Sequence, residues 1–315
     1  LTLLKTGAYT QRMTNGRLAI VAAVILSVGL LWTVAPSAQA LQRSIYASVL
    51  NKEGAPVPEL GPSDFVVRED NLAREVLRVE PATAPMQIAL LVDNSARSGN
   101  NIRDIREATN EFIKGVTGNG PKNQLAVIAV AERPTVMVDY STDQAKLLSG
   151  AGRLFTQTGS GAYLLDGIFE TTQGFKKREA SRPVVVAIST NGPELSTRYH
   201  DQIIMALHGV GASFHVVMVG PPPTDVISSE GRERALTLSQ GTDETGGRYD
   251  NVLAASALSD RLKQVANELT HQYLVTYARP QTLIPPEHVA ITGRNPNFVV
   301  RGTPVAEKGQ SRGSR

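Results

Sequence analysis

Residues 86–97 read Met-Gln-Ile-Ala-Leu-Leu-Val-Asp-Asn-Ser-Ala-Arg. Asp93 and Ser95 place a carboxylate and a hydroxyl two residues apart, directly after the unbroken apolar run Ile88–Val92. Hard oxygen donors of this kind suit Mg²⁺, which demands a near-octahedral oxygen shell, and they equally suit a hydrogen-bonded ligand. The run itself is that of a strand buried on both faces of a parallel sheet. The carboxyl end of such a strand is where open α/β sheets hold their ligands.

Other chemistries find less support. The five histidines, His200, His208, His215, His271 and His288, show no i, i+4 pair of the zinc-binding kind, and read as surface or helix-end residues. Gly159-Ser-Gly161 lacks the Gly-x-x-x-x-Gly-Lys of a phosphate loop, and no Gly-x-Ser-x-Gly elbow is present. Ser95, His200 and Asp201 contain the residue types of a hydrolytic triad, but a triad is a matter of geometry rather than of order in the chain. Zero cysteines exclude disulfides, thiolate metal sites, a thiol nucleophile and a lipidated cysteine.

The elements that must position Asp93 and Ser95 follow from periodicity. Ile102, Ile105, Phe112, Ile113 and Val116 mark one face of a helix after the Asp93 loop. Strands are expected at Leu125–Ala131 and Thr135–Tyr140. The link between them, Glu132-Arg-Pro134, is too short for a parallel crossover, so they should form an antiparallel hairpin. Ser141-x-x-Gln144 resembles a capping box opening a short helix. Further helices are expected at 162–175, 196–210, 232–245 and from Leu258 to Leu269, and further strands at 183–189, 213–219, around Tyr249 and, closing the domain, at 272–278. Residues 41–85 read as a small β module and linker, with strands at 44–50, 63–67 and 76–79 and turns at Asn51–Gly54 and Glu69–Asn71. Short strands at 288–292 and 298–301 make residues 279–315 a β extension with a frayed polar tail.

The first 40 residues form a separate segment. Arg12 and Arg17 precede an apolar stretch from Leu18 to Val34, and Ala38-Gln-Ala40 supplies the small residues of a cleavage site. This is the pattern of a secretory signal peptide, with cleavage after Ala40 and Met13 a better start than Leu1. The stretch is shorter than the roughly 20 residues of a spanning helix; left uncleaved it would be an anchor. Removing Lys5, Arg12 and Arg17 with it takes the formal charge from +3 to neutral, 29 basic against 29 acidic residues. The pI of 9.1 is therefore no sign of a nucleic-acid partner. The expected location is secreted, periplasmic or in the cell envelope, with no membrane contact after cleavage.

The Asp93-x-Ser95 pair after a buried strand, and the order of elements from Met86 to about Ala278, resemble the von Willebrand factor A (VWFA) domain. Pro56-Val57, Asp64-Phe65 and Gln272-Tyr273 extend the likeness to the VWFA-related proteins described from acidobacteria. The resemblance implies an α/β fold: a doubly wound, mostly parallel sheet over 86–278 with one antiparallel edge strand, preceded by the small β module. It also implies a metal-ion-dependent adhesion site built from three loops. In the first loop the family has Asp-x-Ser-x-Ser, and here the last position is Arg97. In the second it has a threonine four residues before Asp166, and here that position is Ala162. In the third it has Asp-Gly, and here the pair is Asn191-Gly192.

Three of five ligands are thus altered and one carboxylate remains. The expectation is an exported, non-enzymatic protein-binding module with a degenerate metal site. Its ligand crevice is Asp93, Ser95, Arg97 and Asn191, and Asp93, Ser95 and Asn191 are its residual metal ligands. No cofactor is expected. The alternatives are a Mg²⁺- or Mn²⁺-dependent adhesion module, with Ser98 or Thr158 completing the shell, and a hydrolase using the same crevice. Arg97 reads first as a solvated loop arginine; the sharper alternative is that it supplies the missing positive charge, pairing with Asp93 or with an acidic side chain of a protein partner, because guanidinium matches carboxylate geometry.

Overall fold

The computed structural model of the protein describes residues 41–118, 120, 122–221, 228–281, 284 and 286–306. The signal expected over 1–40 and the tail from 307 lie outside the described residues. Residues 42–279 and 283–315 group into one unit, treated below. The other unit groups 1–41 with 280–282, and only Leu41, Pro280 and Gln281 of it are described.

The described residues open with four strands, β1 (Leu41–Leu50), β2 (Phe65–Glu69), β3 (Leu72–Arg74) and β4 (Val76–Pro81). Asp70 and Asn71 both take left-handed backbone, φ 46° and 67°, which is what a two-residue turn between twisted strands requires. β3 was not expected: three residues with one apolar side chain left exposed carry no readable alternation. Ser63 and Asp64, expected to begin the second strand, belong instead to a short 3₁₀ turn.

From Gln87 the chain alternates. β5 (Gln87–Val92), α1 (Ile102–Thr117), β6 (Gln124–Ala129), β7 (Thr135–Ser141), α2 (Gln144–Gly152), α3 (Leu164–Arg178), β8 (Pro183–Thr190), α4 (His200–Val210), β9 (Ser213–Val219), α5 (Ser229–Glu244), β10 (Tyr249–Val252) and α6 (Leu258–Thr270) follow in turn. Their strands form one six-stranded sheet in the order β10-β9-β8-β5-β6-β7. All pairs are parallel except β6–β7, the hairpin expected from its short link. Alternate residues of each central strand face opposite layers. Ile88, Leu90 and Val92 pack with Ile105, Phe112, Leu262 and Val265 of α1 and α6. Ala89 and Leu91 pack with Leu165, Ile168, Ile203 and Leu238 of α3, α4 and α5. α2 is capped by Asp143, whose carboxylate accepts from Lys146 N at 3.1 Å, whereas the expected cap, Ser141, accepts from Asp143 N.

The last strands are β11 (Tyr273–Arg279), β12 (Val289–Gly293) and β13 (Val299–Pro304). Here the structure corrects the sequence reading. The segment 272–278, expected to close the α/β sheet, lies in a separate four-stranded sheet of order β13-β1-β11-β4. Tyr273, Val275 and Tyr277 turn into a third core with Ile45, Val49, Phe65 and Ile291. That is a period-two pattern with one face buried, unlike the unbroken runs of β5 and β8. β12 pairs antiparallel with β2 and β13 with β1, so strands from before and after the α/β segment share sheets. Arg182, 3% exposed, ties the two together. It donates to the carbonyls of Ala82 and Ala84 before the α/β segment, to Leu269 O in the last turn of α6 and to Gln272 Oε1 just after it.

Candidate ligand crevice at the strand ends

β5 is the first strand of the α/β segment, and the chain leaves it to opposite sides of the sheet. The topological switch therefore falls between β5 and β8, and ligands are expected outside the carboxyl ends of those two strands. Their register is level, Val92 opposite Ile188, so the loops that begin at Asp93 and Thr190 emerge side by side.

Asp93 is fully buried at this point. Its Oδ1 accepts from Ser95 N at 2.9 Å, and its Oδ2 accepts from Thr190 N at 3.0 Å and from the Thr190 hydroxyl at 2.6 Å. The carboxylate is thus a staple between the first and third loops. Ser95 is equally buried, and its Oγ has no hydrogen-bond partner among the described residues. Asn94 fixes the second loop: its side chain donates to Phe155 O at 2.9 Å and accepts from Ala131 N at 3.0 Å. Ser98 donates to Ser95 O at 2.8 Å and lies 3.1 Å from Thr156 Oγ1.

Arg97 lies exposed over this floor. Of the readings open for it, pairing with Asp93 is not formed: its Nε donates to Asn191 Oδ1 at 3.0 Å, while Asp93 is engaged below. A side chain on Gly192 would come within 2.9 Å of Arg97 Cβ, so the glycine is what allows the two loops to approach. Ala162 is buried in a backbone bridge, donating to Pro193 O and accepting from Leu195 N. Asp166 pairs with Arg198 at 3.0 Å.

The third loop is held from beneath by residues that sequence reasoning missed. Arg234 of α5 is 2% exposed and donates to Gly192 O at 2.6 Å, to Ser189 Oγ at 2.6 Å and to Thr190 O. Glu194, also buried, accepts from Ser196 N, and its other oxygen lies 4.0 Å from Arg234 Nε, too far for a hydrogen bond. Burial therefore prevails over Arg234 and pushes the Glu194 carboxyl up to about 7. Thr190 alone carried a signal, a polar residue ending an apolar strand as Asp93 does.

The histidines do not enter the crevice chemistry. His200 Nδ1 lies 2.6 Å from Glu233 Oε2, and the orphan Ser95 hydroxyl has no His relay, so the Ser95–His200–Asp201 arrangement is not formed. His215 faces the opposite end of β9, beside Glu268, Arg248 and Arg301. Both its ring nitrogens lack partners among the described residues, and burial pushes it down to about 4.

Most of the oxygens that could face a cation here already take part in hydrogen bonds. Asn191 could coordinate only through Oδ1, and that atom accepts from Arg97. Both Asp93 oxygens are already acceptors, Ala162 has no side-chain oxygen, and Ser98 turns its hydroxyl to Ser95 O and Thr156. Among the described residues no group of three or more His, Cys, Asp or Glu side chains is arranged to hold a metal.

Comparison with curated sequences gives no match. Among solved structures, similar chains include a von Willebrand factor type A protein from Catenulispora acidiphila, 11% identical, TM-score 0.48, covering 86% of this chain and 73% of that one. Another is the vWF domain of the type V pili tip protein Mfa5 from Porphyromonas gingivalis, 10% identical, TM-score 0.45, covering 60% and 96%. A third is the SpRpn10 VWA domain, 14% identical, TM-score 0.42, covering 56% and 93%. The family model of the von Willebrand factor type A domain matches residues 88–193, which run from β5 through the third loop. Residues 88–193, with all three loops, are thus the part of the chain that is similar to the von Willebrand factor type A domain.

Proposed function

We propose that this protein is an exported, non-enzymatic binding module. It meets a protein partner at the carboxyl ends of β5 and β8, without a resident divalent cation. The observation that supports this most directly is the Arg97–Asn191 hydrogen bond. It occupies the one Asn191 atom able to ligate a metal. It also fixes Arg97 by Nε and leaves its terminal guanidinium nitrogens without a partner among the described residues. A guanidinium so presented is suited to a partner's Asp or Glu, because its paired N–H groups match the two carboxylate oxygens.

Export rests on the segment 1–40, and the likeness to the acidobacterial VWFA-related proteins rests on Pro56-Val57, Asp64-Phe65 and Gln272-Tyr273. The metal-dependent reading has one observation on its side, the buried and unpartnered Ser95 hydroxyl.

The deciding experiment is capture of binding proteins from the native envelope fraction with EDTA present, followed by titration of the captured partner. Arg97→Ser should weaken binding, and Arg97→Lys should recover only part of it, since lysine keeps the charge and loses the fork. Unchanged affinity on Arg97→Ser would place the binding face elsewhere. Binding that appears only when Mg²⁺ is restored, and is lost on Asp93→Ala, would establish the metal-dependent reading instead.

A further inference from the structure

We propose that Asn191–Gly192 is a self-modifying site, at which the crevice's own residues promote deamidation of Asn191 to an acid. The reacting groups are the backbone nitrogen of Gly192, as nucleophile, and the side-chain amide carbon of Asn191. Glycine leaves this attack unobstructed, since it has no Cβ and its backbone is the freest of any residue.

Each end of the reaction has a group in place. The Gly192 N–H donates to Thr190 Oγ1 at 3.3 Å, and the Thr190 hydroxyl donates to Asp93 Oδ2 at 2.6 Å. Asp93 therefore turns the hydroxyl's lone pair toward the Gly192 N–H and raises its basicity, the arrangement of a proton acceptor beside a nucleophile. At the other end Arg97 Nε donates to Asn191 Oδ1 at 3.0 Å, the oxygen on which negative charge develops as the amide carbon becomes tetrahedral. Arg234 grips the carbonyls on either side, Thr190 O and Gly192 O, and neither of these belongs to the 191–192 peptide itself.

The step balances without an oxidant or reductant. The Gly192 N to Asn191 Cγ bond forms, and the N–H proton leaves through the Thr190 hydroxyl. The Cγ–Nδ2 bond breaks, and the departing nitrogen takes up one proton and leaves as ammonia. Water then opens the cyclic imide, at Cγ to give aspartate or at the main-chain carbonyl to give isoaspartate. Either product puts a carboxylate against Arg97, so a hydrogen bond becomes an ion pair and the crevice gains a negative charge. This inference does not depend on Arg97 binding a partner.

The test uses the full chain, folded, aged at neutral pH in ¹⁸O-labelled water beside the same chain unfolded in urea. Peptide mapping reads amide-to-acid conversion and label at residue 191. The folded chain should convert faster than the unfolded one. Thr190→Val, which keeps the shape and removes the hydroxyl, should slow conversion at least about tenfold, and Arg97→Met should slow it as well. A folded chain that keeps its amide while the unfolded chain converts would overturn the proposal. So would a folded Thr190→Val chain converting at the unsubstituted rate. If Thr190→Val does not fold, the folded-against-unfolded comparison decides alone.

Discussion

Glu194 and His215 are both buried, and their ionisation should oppose each other in the pH dependence of stability. Glu194 is raised from 4.5 to about 7 by burial. The unfolded chain ionises it from pH 4.5 upward and the folded chain does not, so its contribution to stability is present below 4.5 and is lost as pH rises toward 7. His215 is lowered from 6.5 to about 4, again chiefly by burial. The unfolded chain takes up that proton below 6.5 and the folded chain resists it, so stability is lost as pH falls from 6.5 toward 4. At about 1.4 kcal/mol per pKa unit, each effect amounts to about 3 kcal/mol. Between pH 4.5 and 6.5 the two slopes are similar in size and opposite in sign.

Glu194→Gln removes one of them and keeps an acceptor for Ser196 N. The variant should gain stability relative to the unsubstituted chain by an amount that grows with pH, from little near 4.5 to about 3 kcal/mol above 7. Urea unfolding followed by circular dichroism at four pH values and constant ionic strength measures this. Titration of groups common to both chains cancels in the difference. Parallel profiles, or a gap that closes as pH rises, would refute the assignment of Glu194 as an acid held neutral by burial.

Arg182→Ala should cost about 3 kcal/mol or more, because it strands buried acceptors on both flanks of the α/β segment; denaturant midpoints report it. Millimolar Mg²⁺ or Mn²⁺ should move Tm little, whereas a ligand at about 100 times its Kd would stabilise by about 2.7 kcal/mol; thermal melts with and without EDTA decide. Protein recovered from a producing cell should begin at Leu41 and show tyrosine-only emission, since Trp32 is the only tryptophan; tryptophan emission from clean material would contradict cleavage.

What could be read from the sequence was what a short window contains. β5 and β8 announce themselves because strands buried on both faces need unbroken apolar runs, and Asp93 stands out because it ends one. The β6–β7 hairpin follows from a three-residue link. β11 was misplaced because a strand's own residues do not name its partner: Tyr273 and Val275 suit any half-buried sheet. Asp143 capped α2 in place of Ser141 because both are good caps two residues apart. At the strand ends, Asp93 and Asn191 were legible as polar residues following apolar strands, but Arg97's hydrogen bond to Asn191 depends on Thr190 having engaged the Asp93 carboxylate first. Arg234 comes from a helix more than 40 residues away and looks in sequence like any surface arginine.

The pairing of β1 with β13 has a kinetic meaning. Ile45 meets Pro304, 259 residues later in the chain. Contacts so distant in sequence must wait until the intervening segment is both synthesised and collapsed, because closing a long flexible loop is entropically unfavourable and slow. The α/β segment has its own central sheet and two apolar layers, so it is the part able to form first. Once it has, Arg182 brings its entry and exit together, and the long loop becomes a short one for the flanking strands. Until then β1 and β2 are apolar strands without edges to join, and the emerging chain is at its most exposed to mispairing with other chains.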